Sequence, residues 1–385
     1  MQIVSFGVAA LYSGMWWLHW ARAGGLEGAL GQLGLLSGLV CVGSVAGAVA
    51  WAANMQGISH LHQSGPGVTL AQHHTLLASY HRLFAVFLIL YGFEFLCFII
   101  TKLMLLGRLA NSATHSSQVD VTDMSGVRRR WLSRRALPNV YRVMAGAVVV
   151  GSVVSMVADA VAGAYFVQQA GLNDQAAAAC YGLSKDTILC FDLVNSTIPI
   201  GAKARTLQSV QASSEALTLL TVSVAFVVIV SWSVALFRLM ERVATRALLS
   251  NGDDRNILAP EANSAKVVAD TMQFAAEQRQ RLTAACVIVL VTFPARAAFD
   301  LLQAYAFFDD PKNPACQHCD TCQSTRHLIY TWLEYTPEFR ATVVALSSPL
   351  PLTLSLWLMT KAVARARLIA AEVTLERASS GDNGL

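Results

Sequence analysis

The feature that most constrains this chain is a series of apolar stretches, each about 20 residues long, that carry few or no charges. A helix of about 20 apolar residues crosses the hydrocarbon of a bilayer and satisfies its own backbone hydrogen bonds there. Seven stretches reach this length, at about 3–21, 30–54, 83–101, 140–168, 216–237, 282–308 and 341–360. The sequence therefore predicts an all-α polytopic membrane protein with seven transmembrane helices.

The composition agrees with this class. Of 385 residues, 55% are hydrophobic and 14% are charged, whereas an ordinary soluble domain has about 25% charged residues. Disordered, collagen-like and small disulfide-rich scaffolds are excluded. The sequence has no phosphate-binding glycine loop, serine elbow or H-E-x-x-H motif. We therefore expect no enzymatic activity, no cofactor and no nucleic-acid partner.

The chain is expected to form one membrane domain, residues 1–368, with an amphipathic cytoplasmic tail over 361–385. The first span has the composition of a cleaved signal peptide as well as of a retained helix. No basic residue precedes it, and Trp16, Trp17 and Trp20 form an interfacial anchor at its end, which favours retention.

Basic residues predict the orientation, because lysine and arginine are retained in cytoplasmic loops. Twenty of the 28 flank one side of the predicted spans, seven flank the other, and Arg296 lies within a span. This places the N-terminus outside and the C-terminus in the cytoplasm. The sequon at Asn195, placed in the loop between spans 4 and 5, would then be external and available for glycosylation.

Five of the eight cysteines fall in the predicted external loops, where disulfides persist: Cys180, Cys190, Cys316, Cys319 and Cys322. The last three have the spacing C-x2-C-x2-C with His318 inside it, which also suits a metal. Disulfides are the favoured reading of the five. Histidines predicted on the same side either complete such a site, sense pH or belong to a solvated loop: His60, His62, His73, His74 and His327.

The strongest functional indication is a set of ionisable residues at membrane depth: Glu94, Asp159, Arg296 and Asp300. A charge at the bilayer centre costs about 2.5–3.5 kcal/mol, so each should face the bundle interior with a partner. One arginine cannot neutralise three carboxylates. Two interpretations follow: a structural pair of Arg296 with Glu94 or Asp300 plus a protonated carboxylate, or a ligand or cation site.

Two backbone features accompany these charges. Pro294 precedes Arg296 in span 6, and a proline there removes a helix hydrogen bond and creates a break or hinge. In span 2, Gly34, Gly38, Gly43 and Gly47 have small-xxx-small spacing. Such spacing lets helices approach closely, either inside the bundle or between two copies in a homo-oligomer.

Seven spans with an external N-terminus and a basic tail resemble the topology of G-protein-coupled receptors. The rhodopsin-like signatures are missing, because helix 3 ends Ile100-Thr101-Lys102 and helix 7 reads Ser348-Pro349-Leu350-Pro351. The last fifth of the chain is similar to the plant tobamovirus-multiplication family of seven-helix proteins, through Arg296, Phe299, Tyr305, Ser348 and Pro349. This resemblance implies a helical membrane protein that acts through partners rather than through a reaction.

The sequence thus predicts a receptor-like or scaffold protein of a eukaryotic plasma membrane or endomembrane. It would sense an external ligand or proton, or organise partners in the bilayer and the cytoplasm. A small-cation or proton-coupled transporter that uses the buried carboxylates is the alternative. An assembly or anchoring subunit is the third class.

Overall fold

A computed structural model of the chain describes residues 2–22, 29–64, 68–116, 136–181, 187–253 and 262–308, with a few single positions between 328 and 354. The six long ranges form six helices: α1 (Gln2–Arg22), α2 (Ala29–Gln63), α3 (Leu70–Ser116), α4 (Ala136–Tyr181), α5 (Thr187–Asp253) and α6 (Ala262–Phe307). The prediction of an all-helical protein is confirmed for this part of the chain. The tail, Cys316, Cys319, Cys322 and His318 lie outside the described residues, and so does the seventh predicted span except for residues 342–344 and 354.

Five of the helices contain segments long and apolar enough to cross a membrane: Gly34–Gln63, Leu70–Gly107, Asn139–Cys180, Asp192–Ala235 and Arg279–Phe307. The outer surface of α4 agrees with a lipid environment. Its exposed valines, each between 40% and 73% accessible, would be unfavourable in water: Val143, Val149, Val150, Val153, Val154, Val157, Val161 and Val167. The fold is that of a helical membrane protein.

Consecutive helices pack on one another, and α3 contacts α5 as well as α2 and α4. The core has two main apolar clusters along α3. The first contains Trp51, Phe87 and Phe166 and joins α2, α3 and α4. The second contains Phe226 and Phe293 and joins α5 and α6 to the later part of α3. The polar residues described below lie where the two clusters meet.

The helices are much longer than the predicted spans, because hydropathy locates the apolar part of a helix and not its ends. Helix α3 begins at Leu70 rather than near Leu83. A capping box starts it: the Thr69 amide donates to Gln72 Oε1 (3.1 Å) and the Gln72 amide to Thr69 Oγ1 (3.3 Å). Helix α5 runs for 67 residues with Pro199 inside it.

The prediction that Asn195, Cys180 and Cys190 lie in loops is wrong, because all three lie in helices. Their external location stays a prediction. Asn195 is an exposed residue of α5, and the Thr197 hydroxyl of its sequon is bonded to the Val194 carbonyl (2.7 Å). A sequon in a regular helix lacks the loop geometry of an acceptor. Cys180 lies near the end of α4 and Cys190 near the start of α5, because both helices continue past their apolar segments.

The glycines of α2 are used inside the bundle. A Cβ atom on Gly43 would lie 3.0 Å from the Cys97 Cβ and from the Phe98 ring of α3. A Cβ on Gly47 would lie 2.7 Å from Glu94 Oε2 and 2.7 Å from the Phe6 ring of α1. These two positions let α2 approach α1 and α3 closely. A homo-oligomer through this helix stays a prediction.

We expect Gly47→Ala to lower the free energy of unfolding by about 1–3 kcal/mol, because the added methyl overpacks the core beside Glu94. The matched control is Gly146→Ala on α4, where a Cβ meets nothing within 4 Å. Reversible unfolding in mixed micelles would compare the two variants. Equal stability of both would contradict the close packing at Gly47.

Candidate functional site

A buried carboxylate, Glu215 of α5, joins four helices. Its Oε1 accepts hydrogen bonds from Gln211 Nε2 of α5 (2.6 Å) and Ser155 Oγ of α4 (3.3 Å). Its Oε2 accepts from the Tyr91 hydroxyl of α3 (3.1 Å) and from Arg296 of α6 (3.4 Å). All four neighbours act as donors, so this environment suits an ionised carboxylate, which only accepts.

Arg296 is the cation of this network and is 1% exposed. Its NH2 group donates to the Tyr91 hydroxyl at 2.6 Å, which in turn donates to Glu215. The guanidinium also lies over the rings of Tyr91 and Phe95, 5.7 Å from each centroid. Ring faces and a carboxylate together replace the hydration that the guanidinium loses on burial.

Asp300 lies one turn after Arg296 on α6, with its Oδ2 3.7 Å from Arg296 Nε. This i,i+4 pair follows directly from the helix geometry. Arg296 therefore lies between two carboxylates, one on its own helix and one on α5. The pair with Asp300 is one of the two partners that the sequence suggested.

Glu94 of α3 is 1% exposed and faces α2 and α1 at Gly47 and Phe6 rather than Arg296 directly. Its carboxylate interacts electrostatically with Arg296, Glu215 and Lys102. Within the described residues, no group forms a hydrogen bond with Glu94 Oε2. A direct Glu94–Arg296 pair, the other suggested partner, is not among the described ion pairs.

Asp159 of α4 is also 1% exposed, and it lies against the backbone of α3. A Cβ on Gly92 would come within 2.9 Å of Asp159 Oδ2. The glycine thus leaves room for the carboxylate between the two helices. Both Glu94 and Asp159 therefore occupy spaces in the core that small residues provide.

Lys102 follows the predicted span 83–101 and is one of the basic residues that the sequence places on the cytoplasmic side. The prediction of a loop position is wrong, because Lys102 lies in α3 and is 1% exposed. Its Nζ lies 4.1 Å from the centroid of the Phe293 ring on α6 and forms no hydrogen bond within the described part of the chain. The face of the Phe293 ring attracts an ammonium group, and this attraction offsets part of the cost of its burial.

Glu215 and Lys102 are the residues that the sequence reasoning missed. The predicted span 83–101 stops one residue before Lys102, and the predicted span 216–237 begins one residue after Glu215. The reason is that the first charged residue defines the end of an apolar stretch. A charged residue at the edge of an apolar stretch can lie either in a loop or in the buried core. Only a partner on another helix distinguishes the two.

With these two residues, the described core holds four carboxylates and two cations: Glu94, Asp159, Glu215 and Asp300 against Lys102 and Arg296. If all six are ionised, the net charge of this described set is −2. The sequence indicated the same net negative charge from Glu94, Asp159, Asp300 and Arg296. The structure adds one carboxylate, Glu215, and one cation, Lys102, so the net charge is unchanged. Protonation of a carboxylate or binding of a cation would remove part of the cost of burial.

Pro294 does not interrupt α6, which is continuous from Ala262 to Phe307. The prediction that Pro294 breaks the helix is therefore wrong. The proline still lacks an amide hydrogen, so the Leu290 carbonyl has no intrahelical partner one turn before it. This weak point lies next to Phe293 and Arg296.

The described residues contain no group of three or more histidine, cysteine, aspartate or glutamate side chains that could hold a metal. Cys180 is disulfide-bonded, and the residue it pairs with lies outside the described side chains. The disulfide connectivity and the metal alternative at Cys316, Cys319, Cys322 and His318 stay predictions.

Comparison with protein-family models, with characterised proteins and with solved structures found no match for this chain. The candidate site therefore depends on its own geometry.

We expect Glu215→Gln to lower the free energy of unfolding by about 1–3 kcal/mol, because the new amide turns an N–H toward groups that themselves donate and leaves Asp300 as the remaining carboxylate beside Arg296. Arg281 and Glu277 offer a matched control, since their N–O distance is also 3.4 Å but both side chains are 26% exposed. Glu277→Gln should cost no more than about 0.5 kcal/mol. Double-mutant cycles on the two pairs would measure this, and equal coupling energies would contradict the role of Glu215.

Proposed function

We propose that this protein is a receptor-like membrane protein whose buried charge network responds to an external proton or small cation. The observation that carries the proposal is the junction at Glu215 and Arg296, which ties α3, α4, α5 and α6 together. A change of charge beside this junction alters the packing of several helices at once. The protein is proposed to bind and signal rather than to catalyse.

The carboxylates of the network differ in their surroundings, and this difference supports a switch. Glu215 accepts four hydrogen bonds and is suited to a constant structural role. Glu94 and Asp159 lie beside the junction, and they supply the excess negative charge. We propose that these two carboxylates take up the proton or cation while Glu215 and Arg296 hold the framework.

The packing favours a small ligand. A single methyl group on Gly47 or Gly92 would already collide with Glu94 or Asp159. A proton needs no additional space between such closely packed helices. A small cation would require a small shift of the side chains, and an organic ligand would require the helices to separate. The ligand that we propose is therefore a proton or a small cation.

The proposed path continues to the cytoplasmic side through α6. Asp300, Arg296 and Pro294 lie within two turns of this helix. Loss of the ion pairs at Arg296 would let α6 bend where Pro294 leaves the backbone bond unmade. A bend at this position changes the direction of the helix below it.

We also propose that the protein has seven spans, with an external N-terminus and a cytoplasmic C-terminus. Its membrane would be a eukaryotic plasma membrane or endomembrane. The two helices outside the five described spans would be α1 and residues 341–360. Cytoplasmic partners would meet the inner ends of α5 and α6 and the basic tail.

We expect a membrane-impermeant thiol reagent, applied to intact cells, to label a cysteine at exposed Gln175 of α4 and not one at exposed Gln273 of α6. The reason is that the proposed orientation places the end of α4 outside and the start of α6 inside. Permeabilised cells provide the control, because both positions should then react. Labelling only at position 273 in intact cells would reverse the orientation.

A small-cation or proton-coupled transporter is the second candidate, and the excess of buried carboxylates favours it. The two candidates differ in whether the ion crosses the membrane. A transporter must exchange its ion with both sides, whereas a receptor needs access from one side only.

The experiment uses protein in liposomes with spin labels at exposed Arg238 of α5 and Gln273 of α6. We expect external acidification or a cation to change the distance between the labels in the wild type and not in Glu94→Gln or Asp159→Asn. Glu277→Gln is the charge-matched control and should behave as the wild type. An unchanged distance under every ion would remove the receptor proposal.

Ion flux measured on the same liposomes distinguishes the second candidate. Flux that disappears in Glu94→Gln and Asp159→Asn would support a transporter. No flux for protons or any common cation would remove that candidate and leave the receptor proposal to the distance measurement.

A further inference from the structure

A second buried polar group lies in α3 and α4, well away from Arg296. His74 and His81 of α3 are 5% and 6% exposed, and Asn173 of α4 between them is 1% exposed. The Asn173 Oδ1 lies 3.1 Å from His74 Nδ1, and its Nδ2 lies 3.3 Å from His81 Nδ1. One amide side chain thus bridges two imidazoles on the neighbouring helix.

The orientation of the amide is fixed by its third contact. Asn173 Nδ2 also donates to the Gln169 carbonyl at 3.0 Å, and a carbonyl oxygen can only accept. The oxygen of the amide must then face His74, so His74 carries its proton on Nδ1. His81 Nδ1 accepts from the amide, so His81 is neutral with its proton on Nε2.

This arrangement cannot hold a protonated His81, because two N–H groups would face each other. A charged His81 requires the Asn173 amide to rotate away. That rotation breaks the bonds to His74 and to Gln169 as well. After the rotation the amide oxygen accepts from the charged His81, but an N–H now faces the His74 Nδ1–H and the Gln169 carbonyl has lost its donor. The three hydrogen bonds therefore cannot coexist with a charged His81, and the polar link between α3 and α4 must rearrange.

The charged and titratable groups around the bridge are already engaged. Asp174, beside Asn173, forms an ion pair with Arg82, beside His81. His73 Nδ1 lies 3.3 Å from the Ser64 carbonyl, and the His73 ring contacts His74. Tyr80 contacts the His81 ring, and Arg205 of α5 lies near Gln169 at Gly201. Because Arg82 neutralises Asp174, a charge on His81 gains little from that carboxylate.

A continuous column of rings leads from this bridge to the Arg296 network. His81 contacts Phe166 (5.7 Å between centroids), and Phe166 contacts Phe84 edge-on (5.0 Å). Phe84 contacts Phe87, and Phe87 contacts Tyr91, each at 5.5 Å. Tyr91 is the residue that joins Arg296 to Glu215.

We propose that His81, with Asn173 as its partner, is a proton-binding site at the outer ends of α3 and α4, and that its protonation reaches Tyr91 through the aromatic column. This site is separate from Glu94 and Asp159, which the proposed function assigns to the proton or cation. It goes beyond that function by adding a second proton site, and it depends on that proposal for the external placement. The bridge itself is a two-state element, intact with a neutral His81 and open with a charged one.

The bridge can be tested by nitrogen NMR of the full-length protein, labelled at histidine, in lipid nanodiscs. His74→Gln and His81→Gln would assign the two signals. At neutral pH we expect His74 protonated on Nδ1 and His81 on Nε2, and acid should charge His81 while it breaks the His74 bond. A proton on His81 Nδ1 at neutral pH, or independent titration of the two rings, would overturn the proposal.

Asn173→Asp is a variant for which the direction of the change in the proton affinity of His81 can be predicted. A carboxylate accepts from both imidazoles, so the proton affinity of His81 should rise about tenfold or more. Gln175→Glu is the control, because it adds the same charge at an exposed position two residues later on α4. An equal change in both variants would show a general field effect and would overturn the bridge.

The coupling to Tyr91 is tested by its reciprocity, since linked sites change each other's affinity by the same factor. Glu215→Gln should shift the proton affinity of His81 by about threefold or more, and Glu277→Gln should not. Phe87→Leu keeps every charge but interrupts the column, so the shift should be lost in Glu215→Gln/Phe87→Leu. A shift that survives Phe87→Leu, or no shift at all, would overturn the aromatic route.

These measurements separate the inference from the proposed function. Histidines that titrate independently would remove the proton site, whatever the distances between α5 and α6 do. A bridge that opens with acid, in a protein whose α5–α6 distance never changes, would remove the receptor proposal and keep the proton site.

Discussion

The structure depends on one buried carboxylate. Glu215 receives donors from α3, α4, α5 and α6, and through Tyr91 it also positions Arg296. Burying a charge in a low-dielectric core is costly, and the cost is offset only when every acceptor position is filled with good geometry. This requirement fixes the register of four helices that apolar contacts alone would leave free to slide. Close packing at the glycines of α2 and α3 then places Glu94 and Asp159 beside the same junction.

Much of this architecture could be predicted from the sequence. Apolar length indicated the segments that α2 to α6 bury or expose to lipid, and the charges within those segments indicated Glu94, Asp159, Arg296 and Asp300. Glu215 and Lys102 could not be found in this way, because hydropathy describes composition and both lie at the edge of an apolar stretch. Their burial is decided by partners 81 residues away on α6 for Glu215 and by the face of Phe293 for Lys102. Such contacts are not local in sequence.

The same reason explains the errors at the ends of the helices. The sequence predicts loops at Asn195 and Cys180 because polar residues surround them, yet both lie in helices. Backbone hydrogen bonds extend a helix for as long as no residue stops it, whether or not the surface is apolar. His74, His81 and Asn173 belong to this category too. Histidine and asparagine near a predicted boundary look like solvated groups until two helices that continue past it bring them together.

The length of α5 has a mechanical consequence. The helix continues for 38 residues after Glu215, to Asp253, which is roughly 57 Å at the rise of an α-helix. If α5 stays straight, a tilt of about 5° at the Glu215 junction moves its far end by about 5 Å, nearly one helical turn. A rearrangement of a few tenths of an ångström among Tyr91, Glu215 and Arg296 would thus appear as a displacement large enough for another protein to recognise. Any tilt at the Glu215 junction would therefore be amplified toward the end of α5 in proportion to the length of the helix.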